Sequence, residues 1–370
     1  MPKDSTVLKL AKELIDIPST SDKEGEKGVA DYISDYLRSC GIESRTFEYR
    51  KGSANLVAEI GGKDRLMLNG HMDTVPVGDK KLWEHGLKAE LLNGELYGRG
   101  ASDMKGGIAS ILAAVSDIDF SKAANHGILL TFVADEEGKF TGSNWLLDNK
   151  KDIFNRVKYG IIAEPTDMRI QVAQKGIACM KISFHGKAAH SSAPQLGDSA
   201  ILKAARFITA LEELAKGFTV EDKILGRGTV NTGKIKGGTA TNVVPDSCII
   251  NVDRRIVIGE TPELAADQVK GLLRKMGINA EVKLYGASAF KLDKDSKIIE
   301  IMKRASGSKT YGAPWYTEAE IYKRKANIDC AVFGPGYSEA AHQANERVSV
   351  NNLEQCTEVF KRVITEWCSS

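Results

Sequence analysis

Histidines and carboxylates in this sequence recur where a predicted strand or helix begins or ends. His71 and Asp73 follow an apolar segment that ends at Leu68, and in an extended chain residues two apart point to the same side. Such a pair suits a histidine that binds a metal ion while a carboxylate supports its other ring nitrogen. The alternative is a surface loop with one hydrogen-bonded histidine, and this pair alone does not decide between them.

Other carboxylates follow the same pattern. Asp103 precedes a helix of small residues predicted from Ile108, although a helix dipole alone also favours a carboxylate there. Glu136 and Glu137 follow one continuous apolar run, and Glu164 follows another. Neighbouring carboxylates repel one another unless a cation is close. Because sites in open α/β sheets gather beyond the carboxyl ends of strands, we expect these side chains to converge.

Composition argues against several functional classes. The 370 residues suggest about two domains. A formal net charge of +2, from 51 basic and 49 acidic residues, argues against a nucleic-acid surface or a polybasic membrane patch. We find no apolar run of about 18 residues that would predict a transmembrane helix. Six scattered cysteines without a C-x-x-C pair, and no apolar signal-peptide block, predict a cytoplasmic protein with reduced thiols.

The predicted elements divide the chain into two kinds of domain. Up to residue 174 the predicted order is two helices, three strands, a hairpin with its turn at Asn93-Gly94, and then a helix followed by apolar strands. The order then becomes strand, helix, strand, strand, helix, strand, which is the split βαβ pattern of a small α/β sandwich. The earlier α/β character resumes near residue 288. We therefore predict a catalytic domain made of residues 1–174 and 288–370, with residues 175–287 inserted as a second domain.

In this order, the motifs resemble those of the M20-type metallopeptidases and amidohydrolases, a group with acetylornithine deacetylase, succinyl-diaminopimelate desuccinylase and glutamate carboxypeptidase. The matching segments are residues 70–76, 98–100, 103–107, 135–138, 164–165, 185–191, 242–245 and His342. The resemblance implies an α/β fold with a zinc-peptidase-like, three-layer catalytic domain and a mostly parallel sheet. It also implies that the inserted βαββαβ (ferredoxin-like) domain serves as a lid and forms a homodimer.

The resemblance further implies two divalent metal ions, zinc by expectation, with cobalt or manganese as alternatives. Asp103 would bridge the two ions. His71 and Glu164 would complete one site, and Glu137 and His342 would complete the other. Imidazole nitrogens and carboxylate oxygens on separate loops suit a catalytic rather than a closed structural site.

Three residues are expected to act in catalysis. Glu136 would be the general base, which takes a proton from the attacking water and passes it to the leaving nitrogen. Asp73 would orient His71. In the family, the histidine matched by His190 reaches the active site of the partner subunit and stabilises the oxyanion. The alternative for His190 is a surface histidine near a helix start.

The resemblance also suggests substrate-binding residues. Asn242 and Arg255 resemble family residues that hold the substrate carboxylate or help at the oxyanion, because a guanidinium fits a carboxylate with two hydrogen bonds. Arg254 is the alternative to Arg255. Glu318 lies in a Thr-Glu-Ala segment that resembles acetylornithine deacetylase-like members, and we expect it to pair with a substrate amine.

The leading hypothesis is hydrolysis of an amide bond in a small N-acyl amino acid, by an acetylornithine deacetylase-like or a succinyl-diaminopimelate desuccinylase-like enzyme. A metallo-carboxypeptidase or dipeptidase of the same family, with a dipeptide substrate, is the alternative. A non-catalytic scaffold is disfavoured because the ligands and the base are all present. A nucleotide-binding role for the glycine-rich residues 98–107 is disfavoured because the Gly-Lys-Ser/Thr ending of a P-loop is absent.

Overall fold

Two main β-sheets organise the chain. The structure is a computed structural model that describes residues 5–20, 25–120 and 126–369. The chain separates into two units, which are described in turn. The first comprises Met1–Val172, Leu292–Tyr311 and Thr317–Ser370, and the second comprises Ala173–Lys291 and Gly312–Tyr316.

Four helices and eight strands lie between the start of the described chain and the first crossing between the units. In order they are α1 (Thr6–Asp16), α2 (Lys27–Ser39), β1 (Arg45–Arg50), β2 (Ser53–Gly61), β3 (Asp64–His71), β4 (Glu90–Leu92), β5 (Glu95–Tyr97), α3 (Gly106–Ser116), β6 (His126–Val133), α4 (Thr141–Asn149), β7 (Val157–Ile162) and β8 (Ile170–Gln174). The pair β4–β5 confirms the hairpin predicted at Asn93-Gly94, and its strands are antiparallel.

The chain then forms most of the second unit and afterwards completes the first unit. The elements of this part of the chain are β9 (Gly176–His185), α5 (Ala200–Lys216), β10 (Glu221–Asp222), β11 (Gly226–Arg227), β12 (Thr229–Gly237), β13 (Ser247–Ile256), α6 (Pro262–Lys275), β14 (Ala280–Ala287), β15 (Phe290–Lys291), α7 (Lys297–Ser306), β16 (Thr310–Ala313), α8 (Ala319–Ala326), β17 (Asp329–Val332), β18 (Arg347–Ser349) and α9 (Val350–Cys368). No helix in the described ranges has the length and apolar character needed to cross a membrane.

The largest sheet has a parallel centre and antiparallel flanks. Its strand order is β1-β2-β6-β3-β7-β17-β8-β15, and β16 also pairs with β8. β3 runs parallel to both of its neighbours, β6 and β7, and β17 runs parallel to β7. The pairs β1–β2, β2–β6, β17–β8 and β8–β15 are antiparallel. The prediction of a mostly parallel sheet therefore holds for its four central strands. The carboxyl ends of these parallel strands lie at the same edge of the sheet.

Helices cover this sheet in two groups. α3 contacts α1, α9 and β3, while α4 and α8 contact each other and pack on β2 and β17 respectively. β6 is buried almost along its whole length, as expected for a strand whose two faces are both covered. The sequence of β6 is therefore continuously apolar rather than alternating, and the three-layer α/β architecture expected from the sequence is confirmed.

The second unit has its own core. Its sheet has the order β12-β13-β9-β14, and all of its strand pairs are antiparallel. Side chains of β9 alternate, so that Met180, Ile182 and Phe184 are buried among residues of α5 and α6. The short pair β10–β11 is an addition between α5 and β12. The predicted βαββαβ order is confirmed for the main elements of this unit.

Close packing at the carboxyl end of the central strands depends on a glycine. Gly107 is the second residue of α3, and a Cβ atom on it would lie 2.1 Å from the backbone oxygen of Ala163, which follows β7. That distance is far below van der Waals contact, and the obstacle is backbone rather than a flexible side chain. The missing side chain therefore allows the first turn of α3 to rest against the end of β7.

We expect Gly107→Ala to lower the free energy of unfolding by about 1–3 kcal/mol, because the helix and strand must separate to admit the methyl group. Gly271→Ala is the matched control, since Gly271 is also helical but its added Cβ would meet only the Arg274 side chain, at 3.8 Å. The control should be neutral or stabilise by about 0.5–1 kcal/mol. Equal urea unfolding midpoints for Gly107→Ala and the wild type would contradict this account.

Candidate metal centre

The carboxyl ends of three adjacent parallel strands bring the predicted site residues together in the first unit. β3 ends at His71, Glu136 and Glu137 come shortly after β6, and Glu164 comes shortly after β7. β3 lies between β6 and β7 in the sheet. Residues far apart in the chain therefore meet at one sheet edge, as the sequence predicts for a site in an open α/β fold.

His71 faces two of these carboxylates. Its Nε2 atom lies 2.9 Å from Oδ1 of Asp103 and 3.6 Å from Oε2 of Glu164. Its Nδ1 atom lies 3.0 Å from the backbone oxygen of Asp73, which can only accept a hydrogen bond. In the neutral ring this contact places the proton on Nδ1, so Nε2 is the nitrogen with a free electron pair for a metal ion.

His342 approaches Asp103 from the other side. Its Nε2 atom lies 3.2 Å from Oδ2 of Asp103 and 2.8 Å from Oε1 of Glu137. Asp103 thus offers one carboxylate oxygen to each histidine, Oδ1 to His71 and Oδ2 to His342. The His342 side chain is 50% exposed, whereas that of His71 is 1% exposed, so this end of the cluster is the more open to solvent.

The donor atoms are close enough to share cations. Potential ligand atoms of His71, Asp103 and Glu137 all lie within 4.8 Å of one another, and the same holds for His71, Glu136 and Glu164. Mixed imidazole and carboxylate donors suit zinc or cobalt. The residues present therefore fit a metal site. The geometry also leaves Glu136 near enough to serve as a ligand itself.

Burial and mutual repulsion shift the pKa values of these groups. Burial, followed by the charge of Glu164, raises the pKa of Glu136 well above its usual range, and burial raises the pKa of Glu164 to about 8. Burial also acts on Asp103, but hydrogen bonds from His342 and His71 lower its pKa overall. Hydrogen bonds to Asp103 and then to Glu137 raise the pKa of His342 to about 10. Without a metal ion, these raised pKa values favour protonated side chains, and the bound protons offset part of the repulsion among the carboxylates.

Asp73 makes contacts beyond the predicted one. Its carboxylate accepts hydrogen bonds from the backbone N–H groups of Glu136, at 3.0 Å, and Glu137, at 3.1 Å. Its Oδ1 atom is 3.6 Å from Nδ1 of His71, farther than the backbone oxygen of Asp73 itself. The turn it supports begins at Asp135, whose φ of 57° is in the left-handed region. Asp73 therefore holds the segment that directs the two glutamates.

Glu318 is deeply buried. Its side chain is 1% exposed, and burial raises its pKa to about 7, while hydrogen bonds with Ser143 and Asn69 act in the opposite direction. Asn69 belongs to β3, two residues before His71, and also donates a 2.8 Å hydrogen bond to the hydroxyl of Tyr322. Glu318 is therefore enclosed beside Asn69 of β3, and its pairing with a substrate amine stays a prediction.

Two buried charged residues near the site were missed by sequence reasoning. Nζ of Lys105 donates a 2.7 Å hydrogen bond to the backbone oxygen of Ile17, and burial lowers its pKa to about 7. Glu26 accepts a 3.2 Å hydrogen bond from the backbone N–H of Asp135, and burial, followed by the charge of Asp73, raises its pKa to about 7. The sequence analysis gave neither residue a role, although Lys105 lies in the matching segment 103–107 and directly precedes the apolar helix α3.

The second unit holds His190 and Asn242, which are both exposed. Nδ1 of His190 accepts a 3.1 Å hydrogen bond from the backbone N–H of Ser192. The backbone oxygen of Asn242 accepts a 3.0 Å hydrogen bond from the N–H of Ser191, so the two segments lie side by side. In the neutral ring of His190, the proton is therefore on Nε2, and that N–H group is a donor.

The neighbouring arginines of β13 differ in environment. Arg255 is partly exposed, and its Nε and Nη2 atoms each lie 3.0 Å from a carboxylate oxygen of Asp253. Arg254 is 1% exposed, forms a 2.5 Å ion pair with Glu260, and lies over the ring of Phe218. Of the two alternatives left open by the sequence, Arg255 is the one accessible to a ligand.

Comparison with known proteins identifies the family. Residues 67–366 match the model of peptidase family M20/M25/M40. The chain is 30% identical to acetylornithine deacetylase of Myxococcus xanthus, over 96% of both chains. It is 28% identical to a probable succinyl-diaminopimelate desuccinylase of Staphylococcus aureus, over 96% of this chain and 98% of the relative.

A solved structure gives the same fold. An M20 family metallo-carboxypeptidase from Sulfolobus solfataricus superposes with a TM-score of 0.83 at 20% identity, over 99% of this chain and 100% of that one. The predicted family and enzyme class are confirmed by these matches. The chain belongs to peptidase family M20/M25/M40 and is a metal-dependent amidohydrolase.

Proposed function

We propose that this protein uses two divalent metal ions to hydrolyse the amide bond of a small N-acyl amino acid. The observation that carries the proposal is the position of Asp103, which offers one oxygen towards His71 and the other towards His342. An acetylornithine deacetylase-like or desuccinylase-like activity is favoured, because proteins with these names resemble the chain over nearly its whole length.

The metal ligands would fall into two sets that share Asp103. His71 and Glu164 would hold one ion, and Glu137 and His342 the other. Zinc is the expected metal, with cobalt or manganese as alternatives. Two such ions, when bound, polarise the substrate carbonyl and lower the pKa of the attacking water.

Glu136 is proposed as the general base. Its side chain is 8% exposed, and its backbone is held by the hydrogen bond to Asp73. It would accept the proton of the attacking water and deliver it to the leaving nitrogen. Burial and neighbouring carboxylates raise the pKa of Glu136, and the charge of two bound cations would act in the opposite direction and keep it ionised, as a general base must be.

Residues of the second unit are proposed to bind the substrate. Nε2–H of His190 is a suitable donor to a developing oxyanion, because the contact with Ser192 leaves the proton on that nitrogen. Asn242 would assist it, and the partly exposed guanidinium of Arg255 would bind the substrate carboxylate. Following the family resemblance, we propose that the protein is a homodimer in which His190 serves the partner's site.

A dipeptidase or carboxypeptidase activity is the second candidate. The metallo-carboxypeptidase fold match is compatible with it. The burial of Glu318 weakens the argument for a basic amino acid, since a side chain that is only 1% exposed offers little surface to a substrate amine. Both activities break an amide bond next to a carboxylate, so the same ligands and base would serve either one.

A substrate panel tests the proposed function directly. With zinc or cobalt supplied, we expect kcat/KM to be highest for an N-acyl amino acid among N-acetylornithine, N-succinyl-diaminopimelate, N-acetyl-lysine and dipeptides. Chelation should abolish turnover, and added metal should restore it. Preference for a dipeptide would favour the second candidate, whereas metal-independent turnover, or no hydrolysis of any compound, would contradict the proposal.

We expect Glu136→Gln to retain the metal and to lower kcat by about 10²–10⁴-fold, because a positioned general base contributes that much. The measurements are kcat and metal content by elemental analysis. Glu43→Gln is the control, since Glu43 is exposed and its loss should leave both values unchanged. Near-normal kcat in Glu136→Gln would refute its role as the base.

We expect His190→Ala to lower kcat without loss of metal, because the imidazole of His190 would stabilise only the oxyanion that develops during the reaction. His185→Ala is the matched control, since His185 is another exposed histidine of the same unit. Mixing His190→Ala with Glu136→Gln subunits should restore part of the activity if the histidine acts across a dimer. Verified mixed dimers without any recovery would contradict action in trans.

A further inference from the structure

Glu346 is a buried carboxylate that lies against the loop carrying Asp103. It is 1% exposed and lies four residues after His342. Its Oε1 atom accepts hydrogen bonds from the backbone N–H groups of Ser102, at 2.9 Å, and Asp103, at 3.0 Å. Its Oε2 atom lies 2.5 Å from Nη1 of Arg99. One carboxylate therefore binds both ends of residues 99–103.

Backbone contacts strengthen the same connection. The backbone oxygen of Glu346 accepts a 2.9 Å hydrogen bond from the N–H of Gly98. The hydroxyl of Ser102 donates to the backbone oxygen of Arg347, at 2.7 Å, and accepts from the N–H of Tyr337, at 2.9 Å. The loop that carries Asp103 is thus hydrogen-bonded to residues that come before His342 in the chain and to residues that come after it.

The arrangement repeats one found at Asp73. Asp73 accepts hydrogen bonds from the consecutive N–H groups of Glu136 and Glu137, and Glu346 does so from Ser102 and Asp103. A buried carboxylate forms strong, short hydrogen bonds with N–H donors because no water competes for them. Each acceptor therefore restrains the backbone of a segment whose side chains would bind metal.

We propose that Glu346 is a positioning residue that couples the Asp103 loop to the His342 segment, so that the two halves of the metal centre form together. This inference rests on the proposed function, in which Asp103 bridges both ions. A displacement of the Asp103 backbone would change the positions of both its oxygens. Loss of Glu346 should therefore weaken the binding of both ions, although Glu346 itself touches neither metal nor substrate.

Arg99 completes the connection. Its side chain is 10% exposed, its guanidinium pairs with Glu346, and it lies 5.1 Å from the ring centre of Trp83. Burial strongly disfavours a carboxylate without a cationic partner, so the guanidinium of Arg99 stabilises the charge of Glu346 at this depth. Arg99 and Glu346 are expected to act as one unit.

The test is Glu346→Gln. The amide retains one acceptor oxygen, but its NH₂ group introduces donors beside the N–H groups of Arg99 or of the loop, where only an acceptor fits. Groups that orient metal ligands typically contribute about 10- to 100-fold in metal affinity, and we expect a loss of that size. The measurement is a Co²⁺ titration of the metal-free full-length protein, followed by visible absorption, with Zn²⁺ competition for the affinities.

Glu320→Gln is the matched control. Glu320 is also a buried glutamate of the first unit, 5% exposed, and its carboxylate accepts a 2.8 Å hydrogen bond from Nε of Arg324 within α8. Glu320→Gln removes an arginine–carboxylate pair, as Glu346→Gln does. The control therefore shows how much the loss of such a pair affects metal binding through stability alone. We expect it to bind Co²⁺ with the affinity of the wild type.

The outcomes separate this inference from the proposed function. Wild-type Co²⁺ affinity in folded Glu346→Gln would overturn the positioning role alone. A wild-type protein that binds no Co²⁺ and hydrolyses no substrate of the panel would overturn the proposed function as well.

If Glu346→Gln does not fold, Arg99→Gln serves instead. It leaves the Ser102 and Asp103 hydrogen bonds in place but removes the cation, and it should weaken Co²⁺ binding to a lesser extent. Unchanged affinity in Arg99→Gln would then overturn the inference. Where both variants fold, the double variant should bind no more weakly than Glu346→Gln, because the two residues act as a unit, and fully additive losses would contradict the coupling.

Discussion

Repulsion among buried carboxylates is the constraint on which this structure depends. Acidic side chains from separate strands and loops meet two imidazoles at one end of the central sheet, where little water is left to screen their charges. A cluster of this kind destabilises a fold unless positive charge compensates it. In the metal-free protein, protons and the histidines supply part of that charge. Divalent cations would supply it more fully, so metal binding and the integrity of this region are linked.

The carboxylates are directed mainly through the backbone. Asp73 holds the turn after β6, and Glu346 holds the loop before α3, each by accepting hydrogen bonds from consecutive N–H groups. Neither side chain needs to touch a metal ion to affect its binding. The geometry of a site built from loops therefore depends on buried acceptors that fix those loops, as well as on the residues that point into it.

The rest of the first unit provides a rigid frame for these loops. Parallel pairing of β3 with β6 and β7 delivers three segments to one edge, and the missing side chain of Gly107 allows α3 to begin against the end of β7. The second unit is stabilised by a separate core between its antiparallel sheet and the helices α5 and α6. It presents His190, Asn242 and Arg255 on a scaffold with its own packing, which suits residues proposed to act on the substrate rather than on the metal.

Much of this was predictable because acidic and imidazole residues directly follow apolar runs, and such runs become buried strands whatever else surrounds them. The motifs and apolar runs alone were enough to predict the family, the α/β class and the residue types that stand at the strand ends. The burial of Glu318, the second role of Asp73 and the position of Glu346 were decided only by the tertiary structure. These features depend on contacts between remote segments, such as the hydrogen bond that joins residues 244 positions apart, and no local pattern specifies which distant N–H group a carboxylate will meet.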